Sequence, residues 1–202
     1  MKKTILLSVV LLFMFGANAQ KIKVTEGNLK FLKGEELIDI VFTYDEKMKV
    51  GKMTEKAYIK KKMKDVEDSD KVTPEEWKAM WYEDRSVHFE PMFTELINDY
   101  SDKADVVYRE GIDGAKYKMI VNTTFIEPGF NIGITKKKAA IDLEIIFVPV
   151  DDDSKILAKI ILINSPGRST GYGDFDTGIR VGEAYAKAGK EMAKFLIKKG
   201  AF

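Results

Sequence analysis

The sequence predicts an α+β fold, in which helices pack on one face of a mixed, mostly antiparallel sheet. Alternating apolar side chains predict strands over residues 37–44, 117–126, 139–150 and 156–163. Only a short polar turn separates the last two, which predicts an antiparallel hairpin. Residues 45–53, which are polar and rich in lysine, follow the first strand, and helical patterns fill most of the remaining chain.

The first element is a leader rather than a part of this fold. Residues 1–19 combine two lysines, an apolar run from Ile5 to Phe15 and an Ala-x-Ala pattern that ends at Ala19. These are the parts of a secretory signal peptide in their usual order. We therefore expect cleavage after Ala19, a single α+β domain over residues 20–202, and a periplasmic or secreted location. Because the chain has no cysteine, we do not expect a lipoprotein anchor.

The helical region after the first strand carries two capping signals. Thr54 is placed to cap a helix over residues 55–66. Thr73 is followed by proline at the first helical position and by glutamate at the third, which predicts a capping box. We expect Pro91 to kink or restart this second helix, with Ser86 as the cap of its second piece.

The last helix is predicted over about residues 178–199, with Asp176 or Thr177 as its cap and Gly200 as its C-terminal stop. Small side chains form one stripe along it, which predicts a close approach to the sheet or to another helix. The stripe consists of Gly178, Gly182, Ala186, Gly189 and Ala193.

The composition excludes several classes of protein. The 202-residue chain lacks cysteine, which excludes a disulfide scaffold and a cysteine-ligated zinc site. Its 33 basic and 32 acidic residues give a net charge of +1, which does not indicate a nucleic-acid-binding protein. An apolar fraction of 45% argues against a disordered chain. After the leader, no stretch is long and apolar enough to predict a membrane helix.

The sequence contains no recognisable catalytic motif. His88 is the only histidine, and no Gly-x-Ser-x-Gly pattern is present. A glycine-rich run over residues 171–178 precedes the last helix, but its spacing matches neither the dinucleotide fingerprint nor the P-loop. The acidic residues 151–153 do not follow the spacing of a calcium-binding loop. We therefore predict no catalytic residue, no cofactor and no metal site.

Several surface features nevertheless point to binding. Two tryptophans one helical turn apart either stack against a sugar or partner, or pack in the core. Eight lysines within Lys47–Lys64 either contact anionic lipid headgroups or form a solvated face. Residues flanking the glycine-rich loop offer charges to a ligand. The candidate interaction surface is Trp77, Trp81, Arg168, Asp174, Asp176 and Arg180.

Three groups of segments carry a resemblance to a known family. They are residues 81–85 (WYEDR) with 89–93 (FEPMF), residues 124–133 (TFIEPGFNIG), and residues 173–180 (GDFDTGIR) with 183–190 (EAYAKAGK). Through them the chain resembles a family of uncharacterised exported proteins of Gram-negative bacteria over nearly all of its mature length. The resemblance implies no activity and no site residue. The element order is also similar to the N-terminal domain of the TolB translocation protein and to the curli-secretion lipoprotein, at the level of fold alone.

Together these observations predict an exported envelope protein that acts as a non-enzymatic binding or assembly module in the periplasm. Its partner would be an envelope protein or a small ligand. The alternative is a carboxylate-based hydrolase acting on glycans or envelope polymers, which the abundance of acids and the tryptophan pair favour. Two acids about 5–10 Å apart beside an aromatic in a cleft would indicate the enzyme. An exposed sheet edge would indicate the module.

Overall fold

A computed structural model describes residues 20–167 and 175–202. The predicted leader, residues 1–19, lies outside the described residues, as do Arg168 and Asp174 of the candidate interaction surface. None of the described helices is both long and apolar enough to cross a bilayer.

The main sheet has seven strands and mixed pairing. Strand β2 pairs in parallel with β4 and β5, and the other neighbours pair antiparallel, which confirms the predicted α+β class. A separate small hairpin joins β6 (Phe130–Asn131) to β7 (Lys136–Lys137). The strand order is β1 (Lys21–Gly27), β9 (Ala158–Pro166), β8 (Ala140–Pro149), β5 (Tyr117–Glu127), β2 (Leu37–Val50) and β3 (Met53–Thr54), with β4 (Val107–Arg109) also beside β2.

Four α-helices accompany the sheet among the described residues. They are α1 (Glu55–Asp65), α2 (Pro74–Asp84), α3 (Glu90–Ser101) and α4 (Thr177–Lys198). The caps predicted at Thr54, Thr73 and Asp176 are present: the Ala57 amide donates to Thr54 Oγ1 at 3.3 Å, and Thr73 forms a complete capping box with Glu76. The Ile179 amide donates to Asp176 Oδ1 at 3.0 Å, which caps α4. Short 3₁₀ turns occupy Lys30–Leu32 and Asp102–Ala104.

The core lies between one face of the sheet and the helices. Along β8 every second side chain is buried, from Ile141 to Phe147, and these side chains face α4. Helix α3 packs on α4, and Phe93 of α3 also meets Phe42 of β2 edge to face, with 5.7 Å between ring centroids. The opposite face carries partly exposed residues such as Ile120 and Ile146. The helices therefore cover one face, as the sequence predicts.

Some predicted boundaries were wrong. Strand β2 continues through the polar segment to Val50, because Met48 and Val50 are buried and Lys49 pairs with Phe125. Ser86 caps no helix. A π-helical segment, Arg85–Phe89, carries α2 into α3 without a break, and the Ser86 hydroxyl donates to the Glu83 carbonyl at 3.2 Å.

The small-residue stripe of α4 lies against the α2–α3 region, as predicted. A Cβ atom at Gly189 would overlap the carbonyl oxygen of Phe93, which is a backbone atom of α3. A Cβ atom at Gly182 would lie 2.6 Å from the Met92 sulfur. Gly189 therefore allows the two helices to approach more closely than alanine would, because the atom it meets belongs to the backbone.

Candidate functional site

A groove of about 390 Å³ opens where β5 ends and α4 begins. Its walls come from α1, the β2–β3 turn, the turn after β5 and the first turn of α4. The residues that define it are Met53, Tyr58, Glu127, Phe130, Phe175 and Arg180.

Two glycine turns bring these walls together. The Gly51 amide donates to the Ile126 carbonyl at 2.8 Å, which fixes the β2–β3 turn to the end of β5. Gly129 has a φ of +63°, and a Cβ atom there would overlap the Lys137 carbonyl. Only glycine fits both conditions without strain. The tight turn at Gly129 projects the β6–β7 hairpin from the end of β5.

Arg180 is built into one wall of the groove and is only 8% exposed. Its Nε donates to the Pro128 carbonyl at 3.3 Å and its Nη2 donates to Thr177 Oγ1 at 2.9 Å. The guanidinium therefore holds the turn after β5 against the start of α4. A buried and anchored cation of this kind can orient an acidic or carbonyl group of a ligand.

Tyr58 connects the groove to the two tryptophans. Its ring centroid lies 5.1 Å from that of Trp81 and 6.0 Å from that of Trp77, and the two indoles stack with 6.0 Å between centroids. Trp81 is 2% exposed and its Nε1 donates to Glu55 Oε1 at 2.7 Å, so its ring packs inside the protein. Trp77 is half-buried. Burial raises the pKa of Tyr58 to about 12, so its hydroxyl is neutral at physiological pH.

Arg85 lies at the centre of a polar cluster that includes Glu55, Tyr44 and Glu90. Its Nη2 donates to Glu55 Oε1 at 2.6 Å, and its guanidinium lies 3.8 Å from the centroid of the Tyr44 ring. The Tyr44 hydroxyl donates to Glu90 Oε1 at 3.1 Å, and burial raises the Tyr44 pKa. Arg85 begins the π-helical segment, a conformation often found at functional sites. No sequence pattern indicates this cluster, because its members come from separate elements.

A pair of carboxyl groups meets at the start of α4. Asp84 contacts Gly178, and its Oδ1 lies 3.7 Å from His88 Nε2. Burial and, after it, the charge of Asp176 raise the pKa of Asp84 to about 6. Asp84 therefore takes up a proton at a higher pH than an ordinary aspartate does.

Asp84→Asn is expected to stabilise the protein at pH 7.5 by about 1 kcal/mol, allowing for partial solvent screening, and to have little effect at pH 4. The folded-state pKa of Asp84 is raised above its ordinary value of 3.8, so the wild type loses stability as pH rises from about 4 to about 6, and the loss stays constant above that range. Urea unfolding at the two pH values measures the difference.

Asp152→Asn is the control, because we expect this substitution to change the stability in the opposite direction. Hydrogen bonds from Ser154 lower the pKa of Asp152, so its replacement should destabilise the protein more at pH 7.5 than at low pH. The assignment for Asp84 is wrong if Asp84→Asn shifts stability equally at both pH values.

The structure brings together only part of the candidate interaction surface. Asp176 caps α4, and Arg180 lies on the first turn of that helix, where it lines the groove. Trp77 and Trp81 reach the groove only through Tyr58. Lys62 is the member of the lysine-rich Lys47–Lys64 segment that lines the groove. Across residues 20–167 and 175–202, no cluster of three histidine or carboxylate side chains is placed to hold a metal ion.

Sequence reasoning missed the aromatic rim of the groove. Phe130 and Phe175 are 42% and 70% exposed, and both line the opening. Phe130 follows directly on the Pro128-Gly129 turn, which was a usable signal that its side chain leaves the sheet.

No protein-family model and no curated protein matches the chain. Among solved structures the chain is similar to two crystal structures of the PelC dodecamer from Paraburkholderia phytofirmans, one of them a point variant. Both share 7% identity over 84% of this chain and 96% of that chain, with TM-scores of 0.38 and, for the variant, 0.37. It is also similar to a DUF330 protein from Xanthomonas campestris, with 11% identity over 82% of this chain and 85% of that chain and a TM-score of 0.41.

Proposed function

We propose that the protein is an exported, non-enzymatic binding or assembly module of the bacterial envelope that takes a partner into the groove between α1 and α4. The observation that carries this proposal is the exposure of Phe130 and Phe175 at the mouth of the groove. Large aromatic side chains left in water beside a concave surface are typical of binding sites. The signal peptide predicted over residues 1–19 supports a location outside the cytoplasm.

The lining of the groove suits an amphipathic ligand. Met53 and Tyr58 offer apolar walls, whereas Arg180 and Lys62 offer positive charge and Glu127 a single carboxylate. Ligand sites commonly combine apolar walls with a few polar groups that fix orientation. We infer that the groove accepts an extended segment of an envelope protein, or a small ligand with an apolar part and an acidic group.

The edge of the sheet offers a second route for assembly. Strand β1 lies at one edge of the main sheet, and among the described residues it pairs only with β9. Its outer backbone groups are therefore available to a strand of a partner, the mode known as β-augmentation. An open edge of this kind supports a module more than an enzyme.

The groove is tested by capture of a partner from a periplasmic extract. The immobilised wild type is expected to retain a partner, and the double variant Phe130→Ala/Phe175→Ala to retain at least about tenfold less, since aromatic anchors dominate such interfaces. Quantitative mass spectrometry of the eluates measures the difference.

Ile156→Ala is the matched control. Ile156 is 41% exposed in the turn between β8 and β9, at the end of the sheet opposite the groove. It should retain the partner as the wild type does. Failure to recover any partner, or equal recovery with the double variant, contradicts the proposal.

The hydrolase is the second candidate, and one observation favours it. Asp84 has a pKa of about 6 beside the carboxylate of Asp176, which is the tuning a general acid requires. The release of reducing ends from peptidoglycan by wild type, with its loss in Asp84→Asn, would support this activity. Equal release by both proteins, or none, would exclude Asp84 as its acid.

A further inference from the structure

Two isoleucines at the tip of the β6–β7 hairpin are the starting point. Ile134 is 95% exposed and Ile132 is 64% exposed, and among the large apolar side chains of residues 20–167 and 175–202 only Phe175, which lines the groove, lies between them at 70%. Apolar side chains presented this openly mark a surface that contacts something other than water.

The hairpin holds these side chains in a defined place. Phe130 pairs with Lys137, and the Ile132 amide donates to the Thr135 carbonyl at 3.1 Å. The Gly133 amide donates to Asn131 Oδ1 at 2.9 Å, and Gly133 adopts a φ of +82°. The isoleucines thus stand on a four-residue turn closed by hydrogen bonds.

A collar of lysines surrounds this apolar tip. Lys136, Lys137 and Lys138 are exposed and follow the tip directly. Lys52, in the β2–β3 turn, and Lys62, in the groove wall, add positive charge at the same end of the molecule.

Among the described residues, carboxylates also lie at this end of the molecule. Glu127 pairs with Lys137 at 2.6 Å, and Asp176 caps α4. Within the hairpin itself, residues 130–138 contain three lysines and no acidic residue, so the charge that the hairpin carries is positive.

We propose that this end of the molecule docks on an anionic lipid surface, with Ile132 and Ile134 entering the interface and the lysines facing the phosphates. A tip of two isoleucines is too small for a stable protein interface, which buries about 800 Å² on each partner. It does fit the shallow insertion of about 5–10 Å that peripheral proteins use, and the lysines complement anionic headgroups. This inference goes beyond the groove and does not require a partner in it.

Vesicle flotation tests the inference on the purified protein. Vesicles of phosphatidylcholine with about one-third phosphatidylglycerol are compared with pure phosphatidylcholine, at about 0.05 M and about 0.5 M NaCl. The wild type should float with the anionic vesicles only, and less at high salt. Ile132→Ser/Ile134→Ser should reduce the floated fraction at least about fivefold, and replacement of Lys136 and Lys138 by glutamine should weaken binding and its salt dependence.

Ile156→Ser makes the same polarity change at the opposite end of the molecule and should float as the wild type does. Absence of flotation, or equal flotation of the isoleucine variant, overturns the inference. Light scattering measures whether the isoleucine variant still self-associates. If it loses self-association but floats as the wild type does, the tip contacts a second copy of the chain and the inference is overturned. Retention of the groove partner by the isoleucine variant separates this result from the test of the proposed function.

Discussion

Gly189→Ala is expected to lower the free energy of unfolding by about 3 kcal/mol, although alanine is the better helix former by about 1 kcal/mol. The added Cβ atom would overlap the Phe93 carbonyl oxygen and lie 3.2 Å from the Ile97 nitrogen. Both atoms belong to the backbone of α3, so relief requires the two helices to separate. Urea denaturation measures the loss of free energy, and the midpoint temperature of thermal unfolding should fall by about 9 °C.

Gly182→Ala is the matched control in the same helix. Its Cβ atom would meet the Met92 sulfur, which can rotate away because methionine is flexible. The gain in helix propensity offsets the remaining crowding, so we expect a change within about 1 kcal/mol. Equal losses at the two glycines, or no loss at Gly189, would contradict the backbone contact.

Arg85→Ala is expected to lower the free energy of unfolding by about 3 kcal/mol. This value is at the low end for breaking a buried ion pair, because the Arg85 and Glu55 side chains are each about one-fifth exposed. The substitution leaves the Glu55 carboxylate with the Trp81 indole as its remaining donor, and it removes the cation from the face of the Tyr44 ring. The stability of Arg85→Lys should lie between that of the wild type and that of Arg85→Ala, because lysine keeps the charge but loses the planar contact with the Tyr44 ring.

Lys61→Ala is the control for the Arg85 prediction. Lys61 also forms a 2.6 Å ion pair, with Asp65, but both side chains are largely exposed on α1. Water screens such a pair, and we expect a much smaller loss of stability than at Arg85. Urea unfolding of the two variants under identical conditions compares them. A cost at Arg85 no larger than that at Lys61 would show that the cluster is not stabilising.

Local signals in the sequence were sufficient for the capped helices and for the β8–β9 hairpin. The Thr73 capping box and the Asp176 cap depend on residues three positions apart, so they are visible without the fold. Strand β1 was missed because Lys21 and Lys23 alternate with only two apolar residues. That pattern suits an edge strand and is too short to stand out.

Non-local pairing explains the remaining differences. The bulge between Thr123 and Phe125 shifts the alternation of side chains along β5, so that both Thr123 and Ile126 are buried. The groove could not be assembled from the sequence either. Tyr58, Glu127 and Arg180 come from three distant segments, and no spacing relates them. Only Arg180 was among the predicted interaction residues.

The pairing of β1 with β9 determines how late in folding the first strand can join the sheet. The Thr25 hydroxyl donates to the Lys159 carbonyl, 134 positions away. Contacts so distant in sequence form slowly, because the intervening chain must be ordered before they become favourable. During synthesis the first strand emerges early and stays unpaired until the last strand follows. The β1 strand therefore joins the sheet only when nearly the whole chain has been made.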